Sequence, residues 1–172
     1  NSSILLGSIN NNGRLYENVK NQKPILSDIV YEKYFNDGKG EMLDNCVDTQ
    51  LNNSKRVIND INITSDCING NNIALISEKG NILVDANNIS ISGLIYAPIG
   101  KVILKGNNVN LNGICIIADS IDIEAGNANI NPSREIMDLL TDNITYNDKE
   151  KYLYVMGKCD DNVINIKWYT NC

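Results

Sequence analysis

The chain contains no histidine, and only one of its 172 residues is phenylalanine and one tryptophan. Without histidine it lacks the side chain that most often acts as a general base or metal ligand near neutral pH. With so few large apolar rings, the core has to be built from aliphatic side chains. The sequence therefore predicts no metal site, no cofactor and no histidine-based catalysis.

Clustered positive charge is missing as well. Fifteen Lys and Arg stand against 21 Asp and Glu, a net charge of −6, and the basic residues occur singly or in pairs such as Lys55-Arg56. Nucleic-acid binding depends on clustered basic side chains that displace counterions, so no nucleic-acid partner is expected. No apolar run approaches the roughly 18 residues that can span a bilayer, and the first residues lack the features of a signal peptide. We expect no membrane segment in this sequence.

Asparagine and isoleucine are abundant, at 30 and 26 residues, and both occur in an internal repeat. The segment ALISEKGNILVDANNISIS at 74–92 returns 20 positions later as LIYAPIGKVILKGNNVNLN at 94–112, and a looser copy occupies 114–131. A fixed period of this length, built from short apolar alternations, is typical of a solenoid. The predicted fold is mainly β: a short parallel β-helix of about 20 residues per coil, with capping helices and a C-terminal hairpin.

Within a coil, alternate apolar residues line the interior, and Gly100, which repeats Gly80, is expected at a corner of the backbone. Asparagines recur at the same interval. Stacked identical amides can hydrogen-bond along a solenoid axis, so we expect them to form a structural ladder. Its predicted members are Asn87, Asn107, Asn127, Asn88 and Asn108.

The repeat divides the chain into three regions. Residues 1–55 form an irregular N-terminal segment with a capping helix over 24–35, expected to pack on the open end of the β-helix. Residues 56–131 form the parallel β-helix. Residues 132–172 contain a second capping helix, with Asn131 as its N-cap and Pro132 at its first position, and then a hairpin. Aromatic residues in that hairpin either bind a partner or pack on the solenoid: Tyr152, Tyr154, Trp168 and Tyr169.

Five cysteines bear on the cellular compartment. Cys159 and Cys172 bracket a predicted turn and strand, so a loop-closing disulfide is expected there, and Cys46 with Cys67 is the next most natural pair. Cys115 lies in an apolar run and is expected to be a small buried hydrophobic residue. Two disulfides would indicate an oxidising, extracytoplasmic setting, whereas five free thiols would indicate the cytosol.

Carboxylates within the repeat are candidate catalytic groups, because β-helix enzymes acting on polysaccharides place several carboxylates and a basic side chain on one lateral face. Here the aligned neighbours are Pro98, Lys105 and apolar residues, so no catalytic column is predicted. We expect that the protein is not an enzyme. A cleft that joins Asp119, Asp122 and Glu124 to an Arg or Lys would favour an enzyme. The other carboxylates of the coils are Glu78 and Asp85.

The segment GLIYAPIGKVILKGNNVNLNG at 93–113, followed by IIADSIDI at 116–123, resembles the short β-helix of surface proteins from low-GC, clostridia-like Gram-positive bacteria. Some of those proteins resemble type IV pilus-associated proteins. The resemblance covers residues 57–131 and implies an extracellular structural or adhesive module without a catalytic site. The implied partners are a protein or glycan at the cell surface, or pilus subunits.

Three functional hypotheses follow. The first is an extracellular, cell-surface or pilus-associated β-solenoid for adhesion or assembly. The second is a carbohydrate-active β-helix enzyme. The third is an intracellular scaffold that polymerises end to end, because the same coils resemble bactofilins more weakly.

Overall fold

The computed structural model describes residues 25–133 and 135–136 of the chain. One short helix, α1 (Asp28–Tyr34), precedes four strands: β1 (Cys46–Asp48), β2 (Lys55–Val57), β3 (Ile61–Ser77) and β4 (Ile82–Pro132). The prediction of a mainly β protein is confirmed. The helix predicted over 24–35 begins later, at Asp28, because the backbone of Ser27 is extended.

The strands named here pair in parallel. β1 lies beside the start of β3 and β2 beside its end. β3 lies beside β4, with Ile61 opposite Ile82, 21 positions later, and Ile73 opposite Gly93, 20 positions later. The separation between paired residues changes from 21 to 20 positions at an irregularity in the pairing between Gly70 and Ile73. β3 therefore pairs with β2 and with β4 through residues about 20 positions apart, as the repeat predicts, whereas β1 and β3 pair at 15 positions.

β4 is unusually long, at 51 residues. A straight strand of that length would span roughly 170 Å, so β4 has to bend. Its contacts with earlier chain show this, because the backbone N–H of Lys101 donates to the side-chain oxygen of Asn81 at 2.9 Å. The N–H of Ser133 similarly donates to the carbonyl oxygen of Ile114 at 2.9 Å. The sheet does not close on itself, and β1 lies at one edge.

The inner core is aliphatic. It is one continuous cluster of buried Ile, Leu, Val and Ala side chains with Cys46, and it contains no aromatic ring among the described residues. Members at corresponding positions include Ile61, Ile82 and Val102, each fully buried. Close-packed β-branched side chains suit the interior of a pleated sheet.

A second cluster lies on the outer side of the sheet and receives α1. Leu26, Val30 and Tyr31 from the helix region pack there on buried side chains of the sheet. Along each strand these side chains alternate with those of the inner core. Those sheet residues are Ala74, Ile76, Leu94, Tyr96, Cys115 and Ile117. The expectation that this helix caps the open end of the sheet is therefore wrong: it covers a lateral face, because the sheet presents apolar side chains on both sides there.

Arg56 links the helix region to the sheet. Nε and Nη2 of Arg56 donate to Oε1 of Glu78 at 3.1 and 2.9 Å, and its Nη1 donates to the carbonyl oxygen of Lys39 at 3.1 Å. The guanidinium also lies 4.7 Å from the ring centroid of Tyr31. Burial, and next the charge of Glu78, raise the pKa of Tyr31. Arg56 thus joins β2, α1 and the connecting loop.

The boundaries of the parallel region differ from those expected. Parallel pairing begins with an isolated bridge between Leu43 and Val57 and continues in β1, within the segment predicted to be irregular up to residue 55. At the other end β4 continues through Pro132, so Pro132 does not begin a helix. Ser133, rather than Asn131, acts as the cap, because its Oγ accepts the N–H of Ile136 at 3.2 Å. Ile136 then joins the outer cluster on the lateral face.

Candidate functional site

The asparagines predicted to form a ladder lie on the exposed side of the sheet and hydrogen-bond to each other. Nδ2 of Asn107 donates to Oδ1 of Asn87 at 3.3 Å, and Nδ2 of Asn108 donates to Oδ1 of Asn88 at 2.9 Å. Each bond joins residues 20 positions apart, which brings identical amides together as the spacing requires. Their polar groups are directed along the stack.

The third repeat joins the ladder with a different register. Nδ2 of Asn127 donates to Oδ1 of Asn108 at 3.2 Å, 19 positions earlier, rather than to Asn107. A further bond, from Asn129 to Asn110 at 3.1 Å, was not predicted. The alternation of Ile121 and Ile123 against Val102 and Leu104, also 19 positions earlier, is the sequence signal that could have predicted this shift.

Beside the ladder lies a surface groove of about 630 Å³, which we call the lateral groove. Its lining comes from three rows of the sheet, a row being one of the stretches of chain that repeat about every 20 residues, and it includes the small residues Ala86, Gly106 and Ala125. A Cβ at Gly106 would lie 2.2 Å from the carbonyl oxygen of Ala86, so the backbones of neighbouring rows touch directly there.

Charged side chains that line the lateral groove include Asp85, Lys105 and Glu124. Lys105 follows Asp85 by 20 positions and Glu124 follows Lys105 by 19, so the shifted register of the third repeat puts all three in one column. Lys105 separates the two carboxylates in this column. Aligned at 20 positions, the third repeat would put Ala125 beside Lys105 instead of Glu124, so the 20-residue alignment does not predict the third charge.

A further carboxylate of the lateral groove is already paired. Asp122 also lines the lateral groove and forms an ion pair with Lys101. Asp119 and Glu78 are not among the lining residues; Glu78 instead binds Arg56. Within the described residues no ion pair within 4 Å joins Asp85, Lys105 and Glu124. The lateral groove therefore offers one ammonium and two carboxylates to a polar ligand.

The structure separates the cysteines predicted to pair. Cys46 and Cys67 are both free thiols, so the predicted bond between them is absent. The register explains this: Cys46 lies opposite Ile61 with its side chain in the inner core, whereas Cys67 lies opposite Asn88 and is exposed. A disulfide requires Cα atoms within about 7 Å and converging side chains. Cys115 is fully buried as expected, and burial raises its pKa to about 12.

The remaining predicted sites lie outside the described residues: Cys159 and Cys172, and the aromatic residues Tyr152, Tyr154, Trp168 and Tyr169. In the part of the chain that the structure describes, no group of three or more His, Cys, Asp and Glu side chains could hold a metal ion. No helix in that same part is long and apolar enough to cross a membrane. Compared with protein-family models, curated proteins and solved structures, the chain matches none of them.

Proposed function

We propose that the protein is a short β-solenoid that serves as a structural or adhesive module on the bacterial surface, either alone or associated with a pilus. The observation that carries this proposal is the set of hydrogen bonds between the exposed asparagine side chains. Parallel rows repeat every 19–21 residues over an aliphatic core, and the outer asparagines bond to each other along the stack. Such a stack is rigid and holds its surface groups at fixed spacing.

The lateral groove is the surface best suited to contact a partner in this function. Its lining combines small residues, amides and charges of both signs, with no aromatic side chain. Hydroxyl-rich glycans and polar protein segments both supply complementary hydrogen-bonding groups, so the proposed partners are a cell-surface glycan or protein, including pilus subunits.

Surface labelling of intact cells from the native source tests the location. An antibody raised against residues 25–136 should label cells that have not been permeabilised, while an antibody to a known cytoplasmic protein should not. Labelling that appears only after permeabilisation would contradict the proposal. It would favour the intracellular polymerising scaffold, which filament formation by the purified protein would then support.

A glycan array tests adhesion through the lateral groove. The variant Lys105→Glu reverses the charge at the centre of the groove and should abolish any glycan binding found for the unaltered protein. Lys79→Glu is the matched control, because Lys79 is exposed and does not line the groove. Equal losses in both variants would show that net charge, rather than the groove, determines binding.

A carbohydrate-active enzyme is the second candidate, favoured by one observation: Asp85, Asp122 and Glu124 line a cleft that also contains Lys105. Two carboxylates beside a glycosidic bond are the groups that most glycoside hydrolases use. The test is the release of new sugar ends from a panel of polysaccharides. Activity that disappears in both Asp122→Asn and Glu124→Gln would support this candidate, and no release by the unaltered protein would exclude it for that panel.

A further inference from the structure

We infer that Asn112 is a site of spontaneous deamidation in the folded protein, selected by the structure over the other described Asn-Gly pair, Asn69-Gly70. The reaction requires an asparagine followed by a residue that does not obstruct its backbone nitrogen, and glycine, which has no Cβ, obstructs it least. Asn112-Gly113 and Asn69-Gly70 both meet this chemical condition. The third such pair, Asn12-Gly13, lies outside the described residues.

The chemistry needs only water. The backbone nitrogen of Gly113 attacks Cγ of Asn112, its proton passes to solvent, and the side-chain nitrogen leaves as ammonia, which gives a cyclic succinimide. Water then adds to either carbonyl of the ring and opens it. The products are aspartate, with the original backbone, and isoaspartate, in which the chain runs through the side-chain carbon.

The surroundings of Asn112 are open on the side of its amide. Asn112 is exposed, and among the described residues its amide makes no hydrogen bond, unlike Asn110 two positions earlier, which bonds to Asn129. Gly113 has a φ of +74°, and the nearest atom to a Cβ built there is Cβ of Ser92, at 3.9 Å. Within the described part of the chain the Asn112 amide therefore has no polar partner to release, and the space on the Cβ side of Gly113 is open.

The register of the rows changes in the stretch that contains Asn112. Asn108 follows its ladder partner Asn88 by 20 positions, but Cys115 occupies the outer cluster with Leu94, which precedes it by 21. One extra residue is thus accommodated between Asn108 and Cys115. A stretch with an extra residue is less constrained by the rows beside it, because one residue has no counterpart in the neighbouring row.

Asn69-Gly70 lies in a contrasting environment. Nδ2 of Asn69 donates to Sγ of Cys67 at 3.4 Å, and Gly70 is buried. A Cβ built at Gly70 would lie 2.6 Å from Ile73 and 2.9 Å from Leu51. Ring closure at this pair would displace packed side chains, so it requires local opening of the structure.

The test compares the two sites in folded and unfolded protein incubated in mildly alkaline buffer. Peptide mass spectrometry measures the conversion of amide to acid at each site, and a protein isoaspartate methyltransferase detects the isoaspartate product. In denaturant both pairs should react at similar rates. In the folded protein Asn112 should react on the order of tenfold faster than Asn69 or more, since an opening cost of only about 1.4 kcal/mol at Asn69 produces that ratio.

Two variants complete the test. Asn112→Gln should remove the isoaspartate signal from the peptide that contains position 112 of the folded protein, and Asn69→Gln should leave the signal of that peptide unchanged. Equal rates at the two sites in the folded protein would overturn the inference, as would an Asn112 that stays intact when folded but reacts when unfolded. Loss of the folded signal in Asn69→Gln would do so as well.

Discussion

The most constrained single residues are glycines at which one row of the sheet touches the next. A Cβ on Gly100 would lie 1.7 Å from the carbonyl oxygen of Gly80, and one on Gly93 would lie 2.0 Å from that of Ile73. Backbone atoms cannot rotate away as a side chain would, so these contacts require glycine. The sequence predicts Gly80 and Gly100 as corner residues from their spacing alone. It contains no signal for how closely the two backbones approach.

Replacing Gly100 with alanine should destabilise the protein by about 1–3 kcal/mol or more, because the new methyl group overlaps the backbone of Gly80. Gly126→Ala is the matched control. Its Cβ would lie 3.1 Å from the nearest atom, the carbonyl oxygen of Asn107, so a small adjustment suffices and the cost should stay under about 1 kcal/mol. Denaturant unfolding measures both. Equal losses of unfolding free energy would contradict the contact at Gly100.

The three described cysteines should differ in reactivity towards an alkylating reagent. Cys67 is exposed and should be labelled in the folded protein. Cys46 and Cys115 are buried, and burial raises the pKa of both thiols, so their reactive thiolate form is scarce and shielded. Mass spectrometry of peptides alkylated before and after unfolding measures this. Protection of both Cys46 and Cys67 until a reductant is added would instead indicate the disulfide between them.

Among the elements, the third repeat shows how far the sequence predicts the structure. Two repeats without gaps predict parallel rows and the bonds from Asn107 to Asn87 and from Asn108 to Asn88. The arrangement of charges in the lateral groove depends on the separation between corresponding residues, which changes from 20 to 19 positions in the third repeat. An alignment at 20 residues hides this change. The location of α1 was also not predictable, because an apolar helix face does not identify the surface that it covers.

The shifted register makes Asn108 the central member of the ladder. Its amide donates to Asn88 and accepts from Asn127, whereas Asn107 donates to Asn87 alone. Each hydrogen bond contributes about 0.5–1.5 kcal/mol, toward the lower end at exposed positions. Asn108→Ala should therefore cost about 1–2 kcal/mol and Asn107→Ala about half as much, measured by denaturant unfolding. A larger loss for Asn107→Ala would contradict the 19-residue register of the third repeat.

For the whole described part of the chain, stability depends on contacts between neighbouring rows. Long-range parallel pairing means that no row buries its apolar side chains without the next one. Rows in the middle are covered on both sides, whereas β1, at one edge, has three residues and pairs with β3. Edge strands leave backbone groups unpaired, and Val47 in β1 is 83% exposed. Protection should thus decrease from the middle rows toward β1.

Native-state hydrogen exchange followed by mass spectrometry measures this gradient. Peptides from the middle rows, within residues 82–111, should exchange most slowly, and those containing β1 should exchange fastest among the strands, because opening β1 breaks the fewest contacts. In Gly100→Ala, exchange should accelerate in the row containing Gly80 as well as in the altered row, since the clash lies between them, while Gly126→Ala should leave Gly80 unchanged. Uniform exchange across all rows would mean that the stack opens only as a single unit and would contradict row-by-row coupling.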